Sequence, residues 1–594
     1  MITSLLIANR AEIARRILRT CRAMGIRGVL IYSDADADTP AVREADLALR
    51  IGPSPAAQSY LDGETILALA QGNGCEAIHP GYGFLSENAA FSQACAERGL
   101  IFVGAPPEAM RLMGDKAEAK RIAEHAGVPV LPGWSGEDQS AKNPGREAKR
   151  IGYPLLVKAL AGGGGRGIRI VRQPGELEEA LASARREAES AFGDGRLMLE
   201  KYLDAPRHVE FQVMADRHGK VLHMFERECS VQRRHQKLIE ETPSPALTPA
   251  LREAMGEAAV KSARAARYEG AGTVEFLLDG AGRFYFLEMN TRLQVEHPVT
   301  ELTLGLDLVR LQIEIADGRP LALEQADLRP HGHAVELRLN AEDPSREFIP
   351  TTGLLGCFDF PEGPGLRVDA GFEPGSEISS FYDSLLAKLI VWGQTRAEAL
   401  RKARHMLARS FATGIATNQS YLQWVLDQPD FAEGRYTTRL VEQGAADWAA
   451  LQSAPLGSEW LWAAGAIDLL HAAAPSSGVL SSGATTPAGS PWGDRHLAGR
   501  RDGLGRAAPN LPAGNIEARG RGHSGAGREG PRQRGWRAAR RALGRGGAGP
   551  GFARCGRRAA AAALGFARRR ALAATAWTAD PLPGGGARRA GRGG

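Results

Sequence analysis

The chain opens with short apolar runs that alternate with amphipathic stretches: SLLIANR, AEIARRILRTCRAMG, GVLIYS, later EAIHPG and, after another helical stretch, GLIFVGA. Short apolar runs bounded by turn residues predict buried strands, and apolar positions recurring every third or fourth residue predict helices. The rhythm is βαβ, which predicts a doubly wound, parallel sheet at the N-terminus. Gly25 and Gly99 stand where helix C-caps are expected, each leading into the next strand. No GxGxxG follows the first strand, so neither a dinucleotide site nor a redox cofactor is supported.

Near Met113 the texture changes. MGDKAEAKRIAEHAG predicts a charged helix ending at Gly127, followed by an exit through Pro129, Pro132 and Gly133. YPLLVKAL then reads as a strand, GGGGRGIRIV as a glycine-rich loop entering a strand, PGELEEALASARREAESAFG as a helix and LMLEKYL as a strand. HVEFQVMAD, GKVLHMFERE, GTVEFLLD and GRFYFLEMN read as antiparallel strands, several joined by short turns such as Asp279-Gly280-Ala281-Gly282. A third mixed α/β unit runs from about His333 to Glu442, an apolar helical stretch from Trp448 to Ala474, and a Ser/Pro/Gly linker from Pro475 to Pro491. The expected domains are 1–112, 113–330 with a lid at about 130–203, and 331–445, followed by a helical linking segment 446–474 and a linker and tail 475–594.

Charge divides the chain. The whole carries +6, but residues 495–594 hold 22 Arg, no Lys and four acids, which leaves −12 on the first 494. An acidic body argues against general nucleic-acid binding. The six cysteines form no CxxC pair, so neither a disulfide framework nor a zinc site is expected, and a cytoplasmic setting is the default. No run of 18 apolar residues occurs and no cleavage site follows the first strand, so neither a membrane span nor secretion is expected.

Two groups of residues carry candidate chemistry. The loop Gly162-Gly163-Gly164-Gly165-Arg166-Gly167 follows the strand bearing Lys158, and residues without Cβ let consecutive backbone N–H groups close over phosphate oxygens. It is not a Walker A loop, since no Gly-Lys-Ser/Thr follows. Lys116 and Lys158 are the candidate cations, although each in isolation reads better as a solvated lysine. Glu275, Glu288 and Asn290 fall on neighbouring strands and offer hard oxygens for Mg²⁺, which pairs few protein ligands with nucleotide phosphates. By spacing alone, surface-strand glutamates are an equal reading. The run Asn290-Thr291-Arg292-Leu293-Gln294-Val295-Glu296-His297-Pro298 tips the balance, because so dense a polar run beside an apolar strand is costly unless used.

The stretches IANRAEIARRI, HPGYGFLSEN, MGDK, GGGGRG, ECSVQRRHQK, FLEMNTRLQVEHPVTE and GHAVELRLNAEDP resemble, in order and spacing, the biotin carboxylase family of the ATP-grasp superfamily, over about Ile2 to Glu442. The resemblance implies an α/β fold: an N-terminal doubly wound domain, a central ATP-grasp α+β domain with a mobile lid, a C-terminal mixed α/β domain and, here, a disordered basic tail. Carried over by residue type, it makes Lys116, Lys158 and His208 phosphate contacts, with Gly163, Gly164, Gly165 and Gly167 in the lid loop. Glu200, Lys201 and Leu203 would hold adenine, and Gln232, His235 and Lys237 would line the nucleotide site, Lys237 reaching toward the transferred phosphoryl group. Glu275, Glu288 and Asn290 would hold two Mg²⁺ or Mn²⁺ ions. Arg292, Gln294, Val295 and Glu296 would bind bicarbonate, Glu296 acting as base, and Arg338 would face the biotin ureido oxygen. The implied activity is ATP- and bicarbonate-dependent carboxylation of biotin on a carrier, the first half-reaction of a methylcrotonyl-CoA or propionyl-CoA type carboxylase. The alternative is a free-standing subunit of acetyl-CoA carboxylase, and behind it stand another ATP-grasp ligase or a catalytically silent nucleotide-binding scaffold. Implied partners are a biotin carboxyl carrier, a carboxyltransferase subunit and a second copy of the chain or a larger complex.

The C-terminal stretch departs from the family. It holds 23 Gly and 22 Arg in its last hundred residues, with no helical or strand period, a composition that supplies no packed core. A reading frame shifted near residue 490 of a GC-rich gene is one reading. An Arg/Gly-rich RNA-binding tail is the other, weakened by having only Trp536, Phe552, Phe566 and Trp577 for base stacking. The last lysine is Lys402, so no side chain beyond it can form an amide with biotin. The chain is therefore expected to stay unbiotinylated. A streptavidin blot of protein purified from biotin-supplemented cells should show no band at its size, and a band there would overturn the expectation.

Overall fold

The computed structural model describes residues 1–136, 142–160 and 168–453. The glycine-rich loop at 162–167, the apolar stretch past 453 and the basic tail lie outside the described residues. The N-terminal rhythm forms β1 (Ser4–Ile7), β2 (Arg27–Ser33), β3 (Leu47–Gly52), β4 (Ala77–His79) and β5 (Ile101–Phe102), all parallel, in the doubly wound order β3-β2-β1-β4-β5. Helix Ala11–Met24 ends at Gly25, whose φ of 70° is a left-handed cap that costs glycine nothing.

The charged stretch around Met113 forms two helices rather than one, Pro107–Gly114 and Lys116–His125. Asp115 divides them, its carboxylate accepting from the amides of Ala117 and Glu118, both at 2.9 Å, as an N-cap. The lid region holds β6 (Gly133–Trp134), β7 (Leu155–Ala159), β8 (Arg169–Val171) and β9 (Leu197–Lys201) in an antiparallel sheet, order β6-β9-β7-β8, packed on helix Leu177–Phe192.

The largest sheet has eight strands. β10 (Arg207–Ala215), β11 (Val221–Arg233), β12 (Gln236–Thr242), β13 (Gly270–Leu278), β14 (Phe284–Asn290) and β15 (His333–Asn340) run in the order β14-β13-β10-β11-β12-β15. The strands Leu385–Gly393 and Leu366–Ala370 complete it beyond β15. The unit expected to begin near residue 331 therefore shares its sheet with the central one. The register explains this: β12 pairs with β15 through Ile239–Leu337 and Glu240–Glu336. One face at the β10 end is apolar, with Val209, Phe211, Val213, Val274, Phe276 and Met289 packed against Ala119, Ala123, Met255 and Ala259 of two helices. At the other end Val335, Leu337 and Leu339 pack with Leu400, Ala403 and Leu407 of helix Arg396–Arg409.

A buried ion cluster fastens that second layer. Glu241 accepts from His333 Nε2 at 2.5 Å, from Arg396 Nε and Nη2 at 2.8 and 2.9 Å, and from the Tyr436 hydroxyl. Burial pushes the Glu241 carboxyl up, but His333 and Arg396 outweigh it and bring it down to about 2. Its stabilising contribution is therefore complete above the ordinary carboxyl value of about 4 and is lost as pH falls toward 2. Glu241→Gln should lower the unfolding free energy by about 3–5 kcal/mol at pH 7, the gap to wild type narrowing at pH 3, as read by urea unfolding.

Candidate active site

The face of the large sheet opposite the apolar one collects most of the expected residues. On β10, His208, Glu210 and Gln212 alternate with apolar residues, and Glu210 lies opposite Arg227 of β11 and Glu275 of β13. Glu275 in turn lies opposite Glu288 of β14, and Thr273 opposite Asn290. Lys237 of β12 reaches into this face, its Nζ 2.5 Å from Glu210 Oε2, 3.0 Å from Glu275 Oε1 and 2.7 Å from Glu296 Oε1. Arg227, wholly buried, donates to Glu210 at 2.6 Å and to Gln212 at 2.8 Å.

Arg338 of β15 donates through Nε to Glu240 Oε1 at 2.6 Å and through Nη2 to Glu296 Oε2 at 2.8 Å. Glu336 and Asp343, the nearby acids a lone strand arginine would take, are not the ones it uses. Glu240 is its diagonal neighbour across the β12–β15 pair, within reach of a long side chain. Glu296 is thus clamped between an ammonium and a guanidinium. Burial pushes its carboxyl up, but Lys237, Arg338 and Arg227 hold it well below the usual range, so it is a carboxylate.

A second polar chain borders the first. Gln232 Nε2 lies 2.8 Å from His208 Nδ1, and His208 Nε2 lies 3.0 Å from Glu275 Oε2. Glu275 Oε1 also accepts from Asn290 Nδ2 at 2.9 Å and Gln294 Nε2 at 3.1 Å. Arg292 donates to Glu87 at 2.9 Å, Gln294 Oε1 at 3.0 Å and Asn290 Oδ1 at 3.1 Å. Glu288 is pushed up by burial and by the charge of Glu275, a like-charge pair that a divalent cation would relieve. Paired carboxylates and an amide oxygen are hard donors that fit Mg²⁺ or Mn²⁺. Two tighter groups of potential ligands, His208-Glu210-Glu275 and Glu210-Cys229-Glu296, lie around Lys237, whose ammonium already supplies the positive charge there.

In the lid sheet, Lys158 of β7 pairs with the buried carboxylate of Glu200 on β9, and Lys120, one turn after Lys116, pairs with it too. Burial and the neighbouring lysines lower Lys158 to about 8 and Lys120 to about 7. Two lysines on one carboxylate, with Lys116 close enough to lower both, leave positive charge in excess, which suits a polyphosphate. Lys201 donates to the carbonyls of Gly152 and Tyr153 at 3.2 and 2.8 Å, and Leu203 is half-buried just past β9. His235 stands exposed in the β11–β12 turn. Gly163, Gly164, Gly165 and Gly167 lie outside the described residues. Sequence reasoning missed Glu87, Lys120, Glu210, Arg227 and Glu240. The alternation of polar residues along β10 was the available signal for Glu210, but its partners come from other strands.

A doubly wound domain, a lid and a charge-lined antiparallel sheet define an ATP-grasp ligase architecture. Residues 1–110 match the biotin carboxylase N-terminal domain, 115–324 the ATP-binding domain of the carbamoyl-phosphate synthase L chain, and 336–443 the biotin carboxylase C-terminal domain. The chain belongs to the biotin carboxylase family, whose members are ATP-dependent ligases. It is 49% identical over 439 residues to a biotin carboxylase of Nostoc sp., covering 74% of this chain and 98% of that protein. It is 46% identical over 483 residues to the mitochondrial methylcrotonoyl-CoA carboxylase subunit alpha of Arabidopsis thaliana, covering 81% of this chain and 65% of that one. The chain spans less than two thirds of the length of the methylcrotonoyl-CoA carboxylase alpha subunits it matches. Among solved structures, the biotin carboxylase domain dimer of Hydrogenobacter thermophilus 2-oxoglutarate carboxylase, with MgADP, ADP and bicarbonate, matches with a TM-score of 0.72 at 46% identity, over 75% of this chain and 98% of that one.

Lys237→Met should leave Glu210, Glu275 and Glu296 without their shared ammonium, destabilising the chain by about 3–5 kcal/mol at pH 7. Lys237 helps hold Glu275 and Glu296 below the usual range, so the stability they add is present above about pH 4 and lost as pH falls. The gap between variant and wild type should accordingly narrow below pH 4 in urea unfolding, and a gap independent of pH would refute this account of Lys237.

Proposed function

We propose that this chain carboxylates biotin at the expense of ATP and bicarbonate, as the first half-reaction of an acyl-CoA carboxylase. The observation that carries the reading is the clamp of Lys237 and Arg338 on the buried Glu296 carboxylate. Bicarbonate, held by Arg292, Gln294 and Val295, loses its proton to Glu296 as its oxygen attacks the γ-phosphorus of ATP and ADP leaves, giving carboxyphosphate. Lys237, with Lys116, Lys158 and His208, offsets negative charge on the phosphoryl oxygens, while Gln232 fixes the His208 ring and His235 borders the nucleotide. Glu200, Lys201 and Leu203 flank the adenine, and Gly163, Gly164, Gly165 and Gly167 belong to the loop that closes over the phosphates. Two Mg²⁺ or Mn²⁺ ions held by Glu275, Glu288 and Asn290 would neutralise the β- and γ-phosphoryl oxygens. Carboxyphosphate separates into CO₂ and phosphate, phosphate takes the N1′ proton of biotin, and the nitrogen attacks CO₂. Arg338 stabilises the charge on the ureido oxygen, a role a rigid guanidinium suits.

Biotin is presented by a carrier and the carboxyl group passes to a separate carboxyltransferase subunit, with the chain acting as a homodimer or within a larger complex. A methylcrotonyl-CoA or propionyl-CoA type holoenzyme is favoured because the Arabidopsis alpha subunit aligns over 483 residues and the Nostoc protein over 439. The Nostoc match favours the second reading, a free-standing subunit of acetyl-CoA carboxylase, since it covers 98% of that protein. Among the described residues no helix is long and apolar enough to cross a membrane, and Cys21, Cys75, Cys95, Cys229 and Cys357 are free thiols.

Two variants test the roles. Glu296→Gln should cut bicarbonate-dependent ATP hydrolysis by about 10²–10⁴-fold while nucleotide affinity stays near wild type. Arg338→Ala should retain part of that hydrolysis and lose carboxybiotin formation much further, uncoupling the two rates. Turnover within about threefold of wild type for Glu296→Gln, or a parallel fall of both rates for Arg338→Ala, would refute the assignments.

A further inference from the structure

Lys388 lies within the strand Leu385–Gly393 with none of its side chain exposed. A wholly buried ammonium is tolerated only where it is paired and hydrogen-bonded. Its Nζ donates to the Val295 carbonyl at 2.9 Å and lies 3.2 Å from Glu12 Oε2 and 4.0 Å from Asp369 Oδ2. Asp369 is already matched by Arg367 at 2.7 Å and Arg19 at 2.5 Å, so Glu12 is the counter-charge that Lys388 serves. Glu12 sits on helix Ala11–Met24 of the N-terminal domain and also takes the Tyr82 hydroxyl.

The carbonyl bond does something charge pairing does not. Residues 291–296 run between β14 and helix His297–Leu304 outside any strand or helix. The carbonyls of Leu293, Gln294 and Glu296 take donors from Arg292, His297 and Val299, whereas the Val295 carbonyl takes its donor from Lys388, on a distant strand. Lys388 is the register partner of Arg338. One strand pair therefore delivers the guanidinium that holds Glu296 and the ammonium that holds the peptide just before it.

We infer that Lys388 is a positioning residue for bicarbonate, fixing the turn 292–296 through the Val295 carbonyl so that Arg292, Gln294 and the Val295 amide meet the anion together. This rests on the function proposed above. The test uses the full chain as wild type, Glu12→Gln, Lys388→Met and the charge-balanced double variant Lys388→Met/Glu12→Gln, measuring KM for bicarbonate and for ATP separately. Glu12→Gln keeps the carbonyl bond and should hold its bicarbonate KM within about twofold of wild type. Both Met variants should raise that KM about tenfold or more, with KM for ATP within about twofold. A double variant that regains the wild-type bicarbonate KM, an equal rise in both KM values, or insolubility of both Met variants would overturn the inference by reducing Lys388 to charge balance or folding. Absence of bicarbonate-dependent turnover in the wild type would instead overturn the proposed function, before any variant is compared.

Discussion

The contact between Lys237 and the carboxylates of Glu210, Glu275 and Glu296 organises the rest of the site. Glu210, Glu240, Glu275, Glu296 and Glu336 all lie on or beside one buried sheet face. Carboxylates so placed repel and are desolvated, which only cations fixed among them offset. Lys237, Arg227, Arg338 and Lys388 are those cations, each supplied by a different strand. Glu336 is the exception that shows the limit. Its two oxygens lack hydrogen-bond partners among the described residues, and burial, against the opposing charge of Lys388 and helped by that of Glu240, pushes its carboxyl well above the usual range.

Such a face is a poor way to stabilise a fold, since well-packed apolar residues serve as well or better. Its value lies in fixed charge. Donors and acceptors that are already oriented need not reorganise as charge moves during phosphoryl and carboxyl transfer. The same sheet separates the two demands: Val209, Phe211, Val274 and Phe276 give one face to the core, while Glu210, Gln212, Thr273 and Glu275 on alternate positions give the other to the buried polar cluster.

Alternation and spacing made the N-terminal parallel sheet, the β10, β11, β13 and β14 strands and the Glu275–Glu288 juxtaposition legible, because those depend on local period and short turns. Asp115 was harder to see, since one capping carboxylate outweighs a continuous helical pattern. The continuity of the large sheet across residue 330 depends on β12 pairing with β15, whose register partners Ile239 and Leu337 are far apart in sequence. Arg338 shows the same limit at the level of a side chain: its nearest acids in sequence are not its partners, and Glu240 and Glu296 reach it only through strand register and the turn before helix His297–Leu304. The roles assigned from family resemblance go beyond anything residue spacing alone supplied; Lys120 joins the site through a contact that no motif announced, and Glu87, though inside HPGYGFLSEN, joins through a contact to Arg292 that the motif did not reveal.

In the proposed function this charged face couples ATP cleavage to bicarbonate and then to biotin. The direct measurement is ATP turnover by the purified full chain with Mg²⁺, comparing no addition, bicarbonate alone, and bicarbonate with free biotin, with carboxybiotin assayed alongside. Slow hydrolysis without bicarbonate, stimulation by bicarbonate, and carboxybiotin only when both are present are the expected results. Hydrolysis indifferent to bicarbonate, or no carboxybiotin at saturating biotin, would contradict the proposed function.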